Sequence, residues 1–205
     1  MACSLLAAGS AFGQADFPSR PLHYVVPLPP GAGADFIART VAERLAEEGY
    51  TTLSIQLPVL PSTAILGLYV PLYPDARERF QLAVDFLKSK GHKNIGIVSH
   101  SLGATMANQY LIRTEDTTVK AWVFVGILQG LEEMFRIKIP TLDVYGSNDW
   151  TVTMSGAPER EKQLKDHPGS AQVMVPDAKH FFEGKEDELV RITVSFLDAT
   201  FKAKP

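Results

Sequence analysis

Residues 94–106 read Asn-Ile-Gly-Ile-Val-Ser-His-Ser-Leu-Gly-Ala-Thr-Met, and this segment is the strongest indication of the fold. A short apolar strand, Ile95 to Val98, runs into a Ser-His-Ser-Leu-Gly turn, and a helix-forming segment follows at once. A strand that turns sharply into a helix around a serine presents the serine hydroxyl at the end of a sheet. The close approach of strand and helix requires small residues two positions before and two positions after that serine. Ser99 and Gly103 meet this requirement around Ser101, although the strict motif has glycine at the first of these positions.

The length and composition are typical of one globular domain. A chain of 205 residues with 45% hydrophobic and 21% charged residues buries one sizeable core. The formal net charge is −3 and no basic run occurs, so nucleic acid is not an expected partner. Cys3 is the single cysteine, which excludes an intramolecular disulfide and a multi-cysteine metal site. No apolar run is long enough to span a bilayer, and stable membrane insertion is not expected.

The first fifteen residues are small and apolar, and they resemble the hydrophobic region of a secretory signal that ends at Gly13-Gln14-Ala15. The positively charged start of such a signal is missing, so a loose N-terminal tail is an equal alternative. We therefore predict a signal-like segment over residues 1–15 and a single domain over residues 16–205. The expected location is periplasmic or secreted if the segment is a signal, and cytoplasmic otherwise.

From about residue 20 onward, strands and helices alternate, which predicts a three-layer α/β fold. Its sheet is expected to be mostly parallel, with helices on both faces. Strands are predicted over 23–28, 50–57, 95–98, 119–127, 141–145 and 171–175, and helices over 34–48, 75–90, 102–113, 158–167 and 187–201. Residues 58–74 contain four prolines and are predicted to form a loop. Residues 128–138 are too few for more than a partial flap, so no cap domain is expected.

A serine hydroxyl becomes a good nucleophile when a base takes its proton and an acid orients that base. In open parallel sheets, such groups come from loops at the carboxyl ends of the strands. Asp149 ends the polar turn that begins at Gly146 after one predicted strand, and His180 follows the last predicted strand. We therefore predict Ser101 as nucleophile, His180 as base and Asp149 as the orienting acid, in the chain order serine, aspartate, histidine.

Each of these residues also has a plainer interpretation. The turn before Asp149 has ordinary turn composition, and a loop histidine such as His180 is by itself more often a surface residue. Asp143 is a rival acid, but it lies inside its strand and is expected to face a helix layer. His100 lies on the tight turn, from which its ring is not expected to reach the adjacent hydroxyl. The chain order and the strand-end placement, taken together, favour the triad.

Two backbone N–H groups are needed to stabilise negative charge that develops on a substrate oxygen. One is predicted at Leu102, directly after the candidate nucleophile. The other is predicted at Ala32, in the glycine-rich loop after the first strand, with Gly33 behind it. The plainer interpretation of this loop is a tight turn between a strand and a helix.

Apolar residues flank the candidate groups in the sequence. Of these, Trp150 and Phe181 are predicted to line the substrate pocket together with Gly33, although such residues are more often part of the core. Neither a metal-ligand spacing nor the dinucleotide-binding Gly-x-Gly-x-x-Gly pattern occurs. No metal and no cofactor are therefore expected.

Three segments occur in order: Ser-His-Ser-Leu-Gly-Ala, Tyr-Gly-Ser-Asn-Asp and Ala-Lys-His-Phe-Phe. On these segments, residues 22–203 resemble the α/β-hydrolase superfamily, and in particular its small bacterial members that lack a lid. The resemblance implies a carboxylesterase for small or medium acyl chains, with a small-molecule ester as its partner. It implies that an acyl-enzyme forms at Ser101, that His180 shuttles the proton and that Asp149 holds His180. A thioesterase or an amidase would use the same triad.

The N-terminal part of the chain carries a second resemblance. Residues 16–47, which begin Asp-Phe-Pro-Ser-Arg-Pro and include Pro-Pro-Gly-Ala-Gly-Ala-Asp, are similar to the start of mature periplasmic tricarboxylate-binding proteins. The similarity does not continue beyond residue 48. It leaves a non-catalytic carboxylate-binding protein as the alternative function, with the loop at residues 31–33 as its binding element.

Overall fold

The computed structural model describes residues 20–26, 33–61, 63–128 and 130–202. The signal-like segment predicted over residues 1–15 and the candidate oxyanion donor Ala32 lie outside the described residues.

Strands and helices alternate along the described chain, as the sequence predicts. The strands are β1 (Arg20–Val26), β2 (Tyr50–Gln56), β3 (Ile95–His100), β4 (Val119–Val125), β5 (Thr141–Asn148) and β6 (Ala171–Lys179). The α-helices are α1 (Gly33–Glu47), α2 (Tyr73–Ser89), α3 (Leu102–Leu111), α4 (Thr151–Lys165) and α5 (Glu186–Lys202). Two 3-10 helices, Leu66–Leu72 and Met134–Arg136, lie in the connections.

The six strands form one parallel sheet in the order β2-β1-β3-β4-β5-β6. From β1 the chain continues to β2 on one side, and after β2 it crosses back to β3 on the other side of β1 and continues in that direction to β6. Because all the strands are parallel, their carboxyl ends meet at one edge of the sheet. The segments that follow β3, β5 and β6 therefore lie at the same edge, where a site can be assembled from distant parts of the chain.

Alternating side chains along the strands supply an apolar layer on each face of the sheet. In β4, Trp122 and Phe124 pack with residues of α2 and α3, whereas Val123 and Val125 pack with residues of α1 and α5. Successive side chains of β4 therefore point to opposite faces of the sheet, and both faces are buried. The predicted three-layer α/β architecture is confirmed.

Several strand ends shift from the sequence prediction, most of all in β6, which continues to Lys179 instead of ending at residue 175. Two other elements differ more. The region predicted as a loop over residues 58–74 contains the 3-10 helix Leu66–Leu72 and the start of α2 at Tyr73. Helix α4 begins at Thr151, seven residues before the predicted start at Pro158, which lies inside the helix. A proline usually marks the first turn of a helix, and the β-branched residues before it have weak helix propensity. Tertiary contacts override both signals here, because Thr153 and Ala157 are buried against the sheet.

The connection from β4 to β5 is short. Its described residues include the 3-10 helix Met134–Arg136, and no domain is inserted there. Among the described helices, none combines the length and the apolar character that crossing a membrane requires.

Candidate active site

Ser101 lies at the sharp turn between β3 and α3. Its backbone has φ 55° and ψ −127°, a conformation that costs energy for a residue with a side chain. The turn is held from both sides, because the Ser101 N–H donates to the carbonyl of Val125 over 2.8 Å and the Ser101 carbonyl accepts from Ala104 over 3.0 Å. The strain is therefore maintained by the surrounding backbone, and it presents the Ser101 hydroxyl at the carboxyl edge of the sheet.

The three residues predicted as a triad are brought into a continuous hydrogen-bonded chain. The Nε2 atom of His180 lies 2.9 Å from the Ser101 hydroxyl oxygen, and its Nδ1 atom lies 2.6 Å from Oδ1 of Asp149. All three residues are buried. Because an ionised carboxylate only accepts hydrogen bonds, the proton of the neutral imidazole belongs on Nδ1. The Nε2 atom is then free to accept the proton of the serine hydroxyl.

Asp149 is held in the ionised form that this arrangement requires. Burial alone raises the pKa of Asp149, but the hydrogen bond from His180 and the backbone N–H donors outweigh it, so the pKa lies below its usual value. The Trp150 N–H donates to Oδ1 over 2.6 Å, and the Gly146 N–H lies 3.5 Å from Oδ2. The carboxylate is thus fixed by its own loop as well as by the imidazole.

Two glycines allow the strand ends to approach closely around this chain of groups. Gly126 directly follows β4 with φ +55°, and a Cβ there would lie 3.1 Å from the His180 ring and 3.2 Å from Asp149. At Gly146 in β5, a Cβ would lie 2.1 Å from the carbonyl oxygen of Ala178 in β6. Sequence reasoning did not single out Gly126, and its position directly after a buried strand was the available signal.

His100 supports the backbone of His180. It is fully buried at the end of β3, and its Nε2 atom lies 2.8 Å from the carbonyl oxygen of His180. The pKa of His100 is lowered to about 4, mainly by burial and to a smaller extent by the nearby His180. The ring is therefore neutral at pH 7, and its Nε2–H donates to that carbonyl. As predicted, the ring does not turn back to the adjacent hydroxyl, but its contact with His180 was not foreseen.

Two aromatic side chains flank the imidazole of His180. The Trp150 ring stacks on it with centroids 3.6 Å apart and planes 14° from parallel. Phe181 meets the same imidazole edge-on, at 5.1 Å and 77°. Trp150 remains 47% exposed and so also faces the solvent side of the site. The pocket-lining role of Trp150 and Phe181 stays a prediction, as does that of Gly33, which is the first residue of α1.

The rival acid Asp143 faces the helix layer, as predicted. Its Oδ2 atom accepts from Nε of Arg160 over 2.7 Å and from Gln172 over 2.8 Å, and both charged side chains are fully buried. Burial raises the pKa of Asp143, and the guanidinium of Arg160 opposes that rise. Because Asp143 lies in β5 and Arg160 in α4, the pair anchors α4 to the sheet. Arg160 also donates to the carbonyl of Thr153 in its own helix over 3.0 Å.

In the part of the chain that the structure describes, no group of three or more histidine, cysteine, aspartate or glutamate side chains is placed to hold a metal ion. The predicted oxyanion donor Leu102 is the first residue of α3, directly after the strained Ser101. Its N–H belongs to the first turn, where backbone donors have no acceptor within the helix.

The parallel sheet and the strained serine turn, with histidine and aspartate at neighbouring strand ends, define the α/β-hydrolase class. Within that class, the chain belongs to the dienelactone hydrolase family, whose model matches residues 68–202. The protein is therefore a hydrolase, and the predicted membership of the α/β-hydrolase superfamily is confirmed.

Solved structures show the same fold. A putative α/β-hydrolase of unknown function from Agrobacterium tumefaciens is 20% identical, with a TM-score of 0.71 over 93% of this chain and 89% of that chain. A serine hydrolase without a lid from Xanthomonas campestris is 17% identical, with a TM-score of 0.70 over 95% and 88% of the two chains. Est1E from Butyrivibrio proteoclasticus is 15% identical, with a TM-score of 0.68 over 89% of each. Comparison with curated protein sequences gave no significant match.

Proposed function

We propose that the protein is a serine esterase that cleaves carboxylic esters of small or medium acyl chains through an acyl-enzyme at Ser101. The observation that carries this proposal is the chain of two short contacts, 2.9 Å from Ser101 to His180 and 2.6 Å from His180 to Asp149. A nucleophile, a base and an orienting acid within hydrogen-bond reach of one another are what acyl transfer requires.

In the acylation half of the reaction, Oγ of Ser101 attacks the ester carbonyl carbon while Nε2 of His180 takes the hydroxyl proton. The resulting tetrahedral intermediate collapses, the bond to the alcohol oxygen breaks, and His180 returns the proton to the leaving alcohol. In the deacylation half, His180 takes a proton from water, and the hydroxide that forms attacks the acyl-enzyme. The acid is released, and the proton returns to Ser101.

The intermediate carries a negative charge on the former carbonyl oxygen. The N–H of Leu102 supplies one donor for that oxygen, and the N-terminal end of α3 adds a favourable partial positive charge. Ala32 remains our candidate for the second donor.

Three features support an ester of modest size as the substrate. The family is named for hydrolysis of a dienelactone, and a lactone is an internal ester. The short connection between β4 and β5 places no inserted domain over the site. Beside His180, Phe181 supplies apolar surface that suits an acyl or alkoxy group.

The test is hydrolysis of p-nitrophenyl esters from acetate to decanoate by the parent protein and by Ser101→Ala. Loss of the nucleophile should lower kcat by up to roughly 10⁶-fold, as expected when a working triad is broken. Ser155→Ala is the matched control, because Ser155 is exposed on α4 and its hydroxyl donates to the carbonyl of Val152 in its own helix. Activity that survives Ser101→Ala, or a parent protein that cleaves none of the esters, would reject the proposal.

Thioester or amide cleavage would use the same three groups. Comparing the ester, thioester and anilide of one acyl group measures which bond the site cleaves fastest, and our proposal requires the ester to be preferred over the anilide. Family membership favours hydrolysis over the non-catalytic carboxylate-binding alternative. Labelling of Ser101 by a phosphonate that reacts with activated serines separates these two possibilities directly.

A further inference from the structure

Trp150 holds its ring against His180 in an unusual geometry. It lies between β5 and α4, directly after Asp149, and its backbone N–H donates to that carboxylate over 2.6 Å. The indole and imidazole rings are nearly parallel, 14° apart, and their centroids are only 3.6 Å apart. The same residue is thus tied to the acid through its backbone and to the base through its side chain.

For two neutral aromatic rings, this face-to-face geometry is energetically unfavourable compared with the alternatives. Their quadrupoles favour edge-to-face or offset arrangements with centroids about 4.5–7 Å apart over a direct face-to-face sandwich. Phe181 shows that such arrangements are available here, since it meets His180 at 77° and Trp150 at 90°. A cation centred over an indole face is, by contrast, attracted to it. The stacking of Trp150 therefore suits a positively charged imidazole.

The groups around His180 determine what could stabilise that positive charge. The Asp149 carboxylate lies at Nδ1, and the neutral hydroxyl of Ser101 lies at Nε2. His100 packs from β3 with its ring centroid 4.8 Å away, and its lowered pKa of about 4 keeps it uncharged at pH 7. Among these contacts, Asp149 is the ionised partner in the ring plane, and Trp150 is the partner that covers a ring face.

We propose that Trp150 is a positioning residue that stabilises the imidazolium form of His180 while the tetrahedral intermediate exists. The inference rests on the proposed function, in which His180 takes the Ser101 proton. Its effect is on the base rather than on substrate binding. It should therefore be independent of acyl-chain length.

The first experiment compares Trp150→Leu and Trp150→Phe with the parent protein on p-nitrophenyl acetate and p-nitrophenyl octanoate. Trp150→Leu removes the π face and should lower kcat by about 2- to 30-fold, with little change in KM and the same factor for both esters. Trp150→Phe keeps a weaker π face and should retain part of the rate. The acid limb of the kcat/KM profile should move to lower pH in Trp150→Leu, because the protonated base has lost a stabilising contact.

A role in substrate binding alone gives a different result. In that case KM rises, the loss is larger for the octanoate than for the acetate, and the acid limb stays in place. That outcome would overturn the inference.

The second experiment alters the electrons of the ring and leaves its size nearly unchanged. A series of samples is prepared in which tryptophan is replaced globally by analogues that carry one, two or more fluorine atoms. The chain has two tryptophans, Trp122 and Trp150, so both are modified. Because fluorine withdraws π density, log kcat should fall steadily along the series. The matched control is the same series in Trp150→Phe, where only Trp122 is fluorinated and no trend is expected. A flat series in the parent protein would overturn the inference even if the leucine variant failed to fold.

Ser101→Ala distinguishes a failure of the proposed esterase function from a failure of the proposed role of Trp150. If this variant loses activity and the fluorinated series is flat, the esterase proposal stands and the role of Trp150 is rejected. If this variant keeps its activity, the proposed function fails, and the inference fails with it.

Discussion

The indole N–H of Trp122 donates a hydrogen bond to the hydroxyl of Ser99 over 2.9 Å, and both residues are fully buried. The Ser99 hydroxyl lies 3.4 Å from the carbonyl oxygen of Val123, to which it donates. Ser99 is two positions before Ser101, where the turn motif has glycine. A glycine there would leave the buried indole without its acceptor, and buried polar groups in native structures are almost always paired. The departure from the motif is thus explained by a core hydrogen bond to the neighbouring strand.

Ser99→Ala should therefore destabilise the protein. The substitution leaves the Trp122 N–H buried and unpaired, at a cost of about 1–3 kcal/mol in the free energy of unfolding. Urea denaturation of the parent and the variant measures this difference. In a Trp122→Phe background the donor is already absent, so the same substitution should cost much less. Equal costs in both backgrounds would show that the hydrogen bond contributes nothing.

Gly146→Ala should damage both stability and activity. A Cβ there would lie 2.1 Å from the carbonyl oxygen of Ala178, and a backbone atom cannot rotate away as a side chain would. The ends of β5 and β6, which carry Asp149 and His180, must then separate. We expect a loss of at least about 1–3 kcal/mol in stability. Ester hydrolysis should fall by about 10²-fold, because small displacements of reacting groups are costly.

The matched control for this prediction is Gly130→Ala. Gly130 is exposed, and a Cβ there would meet nothing within 4 Å. Both variants are measured by urea denaturation and by hydrolysis of p-nitrophenyl acetate. If Gly146→Ala behaves like Gly130→Ala, the close approach of β5 and β6 is not needed to hold the site together.

Local pattern and simple topology account for the parts of the site that sequence could predict. Ser101 follows from small residues placed between a strand and a helix. Asp149 and His180 follow because the carboxyl ends of parallel strands meet at one edge of the sheet. Asp143 could be set aside because a residue within a buried strand points to a helix layer. The structure places all four as these arguments require.

The remaining features depend on contacts between distant segments, which a single sequence does not reveal. Arg160 pairs with Asp143 across 17 residues, and this buried contact ties α4 to β5. The bond from His100 to the carbonyl of His180 spans 80 residues. Trp150 was singled out as apolar surface near the site, but its stacking on His180 depends on how two loops meet. In each case the physical cause is packing between segments that periodicity does not encode.

The Asp143–Arg160 pair provides a stability prediction of its own. Arg160→Met should cost about 3–5 kcal/mol, because it leaves the buried carboxylate of Asp143 without its cation. In the double variant Asp143→Leu, Arg160→Met, neither residue of the pair carries a charge, and much of that stability should return. Chemical denaturation of the single and double variants measures the coupling. The prediction is wrong if the loss of stability in the double variant equals the sum of the losses in the two single variants.

His100 should make the stability of the protein depend on pH between about 6.5 and about 4. Burial lowers the pKa of His100 from 6.5 to about 4 in the folded protein, whereas the unfolded chain keeps the ordinary value. Between these two values the unfolded state binds a proton that the folded state does not, so stability falls as the pH falls. The full shift corresponds to a loss of about 3 kcal/mol. Below about pH 4 both states are protonated at this residue, and its contribution stops changing.

Urea denaturation from pH 7 down to about pH 4 tests this prediction in the parent protein and in His100→Gln. Glutamine keeps an N–H donor for the carbonyl of His180 but does not titrate, so the variant should lose most of this pH dependence. Asp149 does not produce the same signal. Its lowered pKa means that its contribution is present above the ordinary carboxyl pKa and is lost only as the pH falls below it. If the parent and His100→Gln lose stability equally between pH 6.5 and pH 4, the buried neutral state of His100 is not the cause.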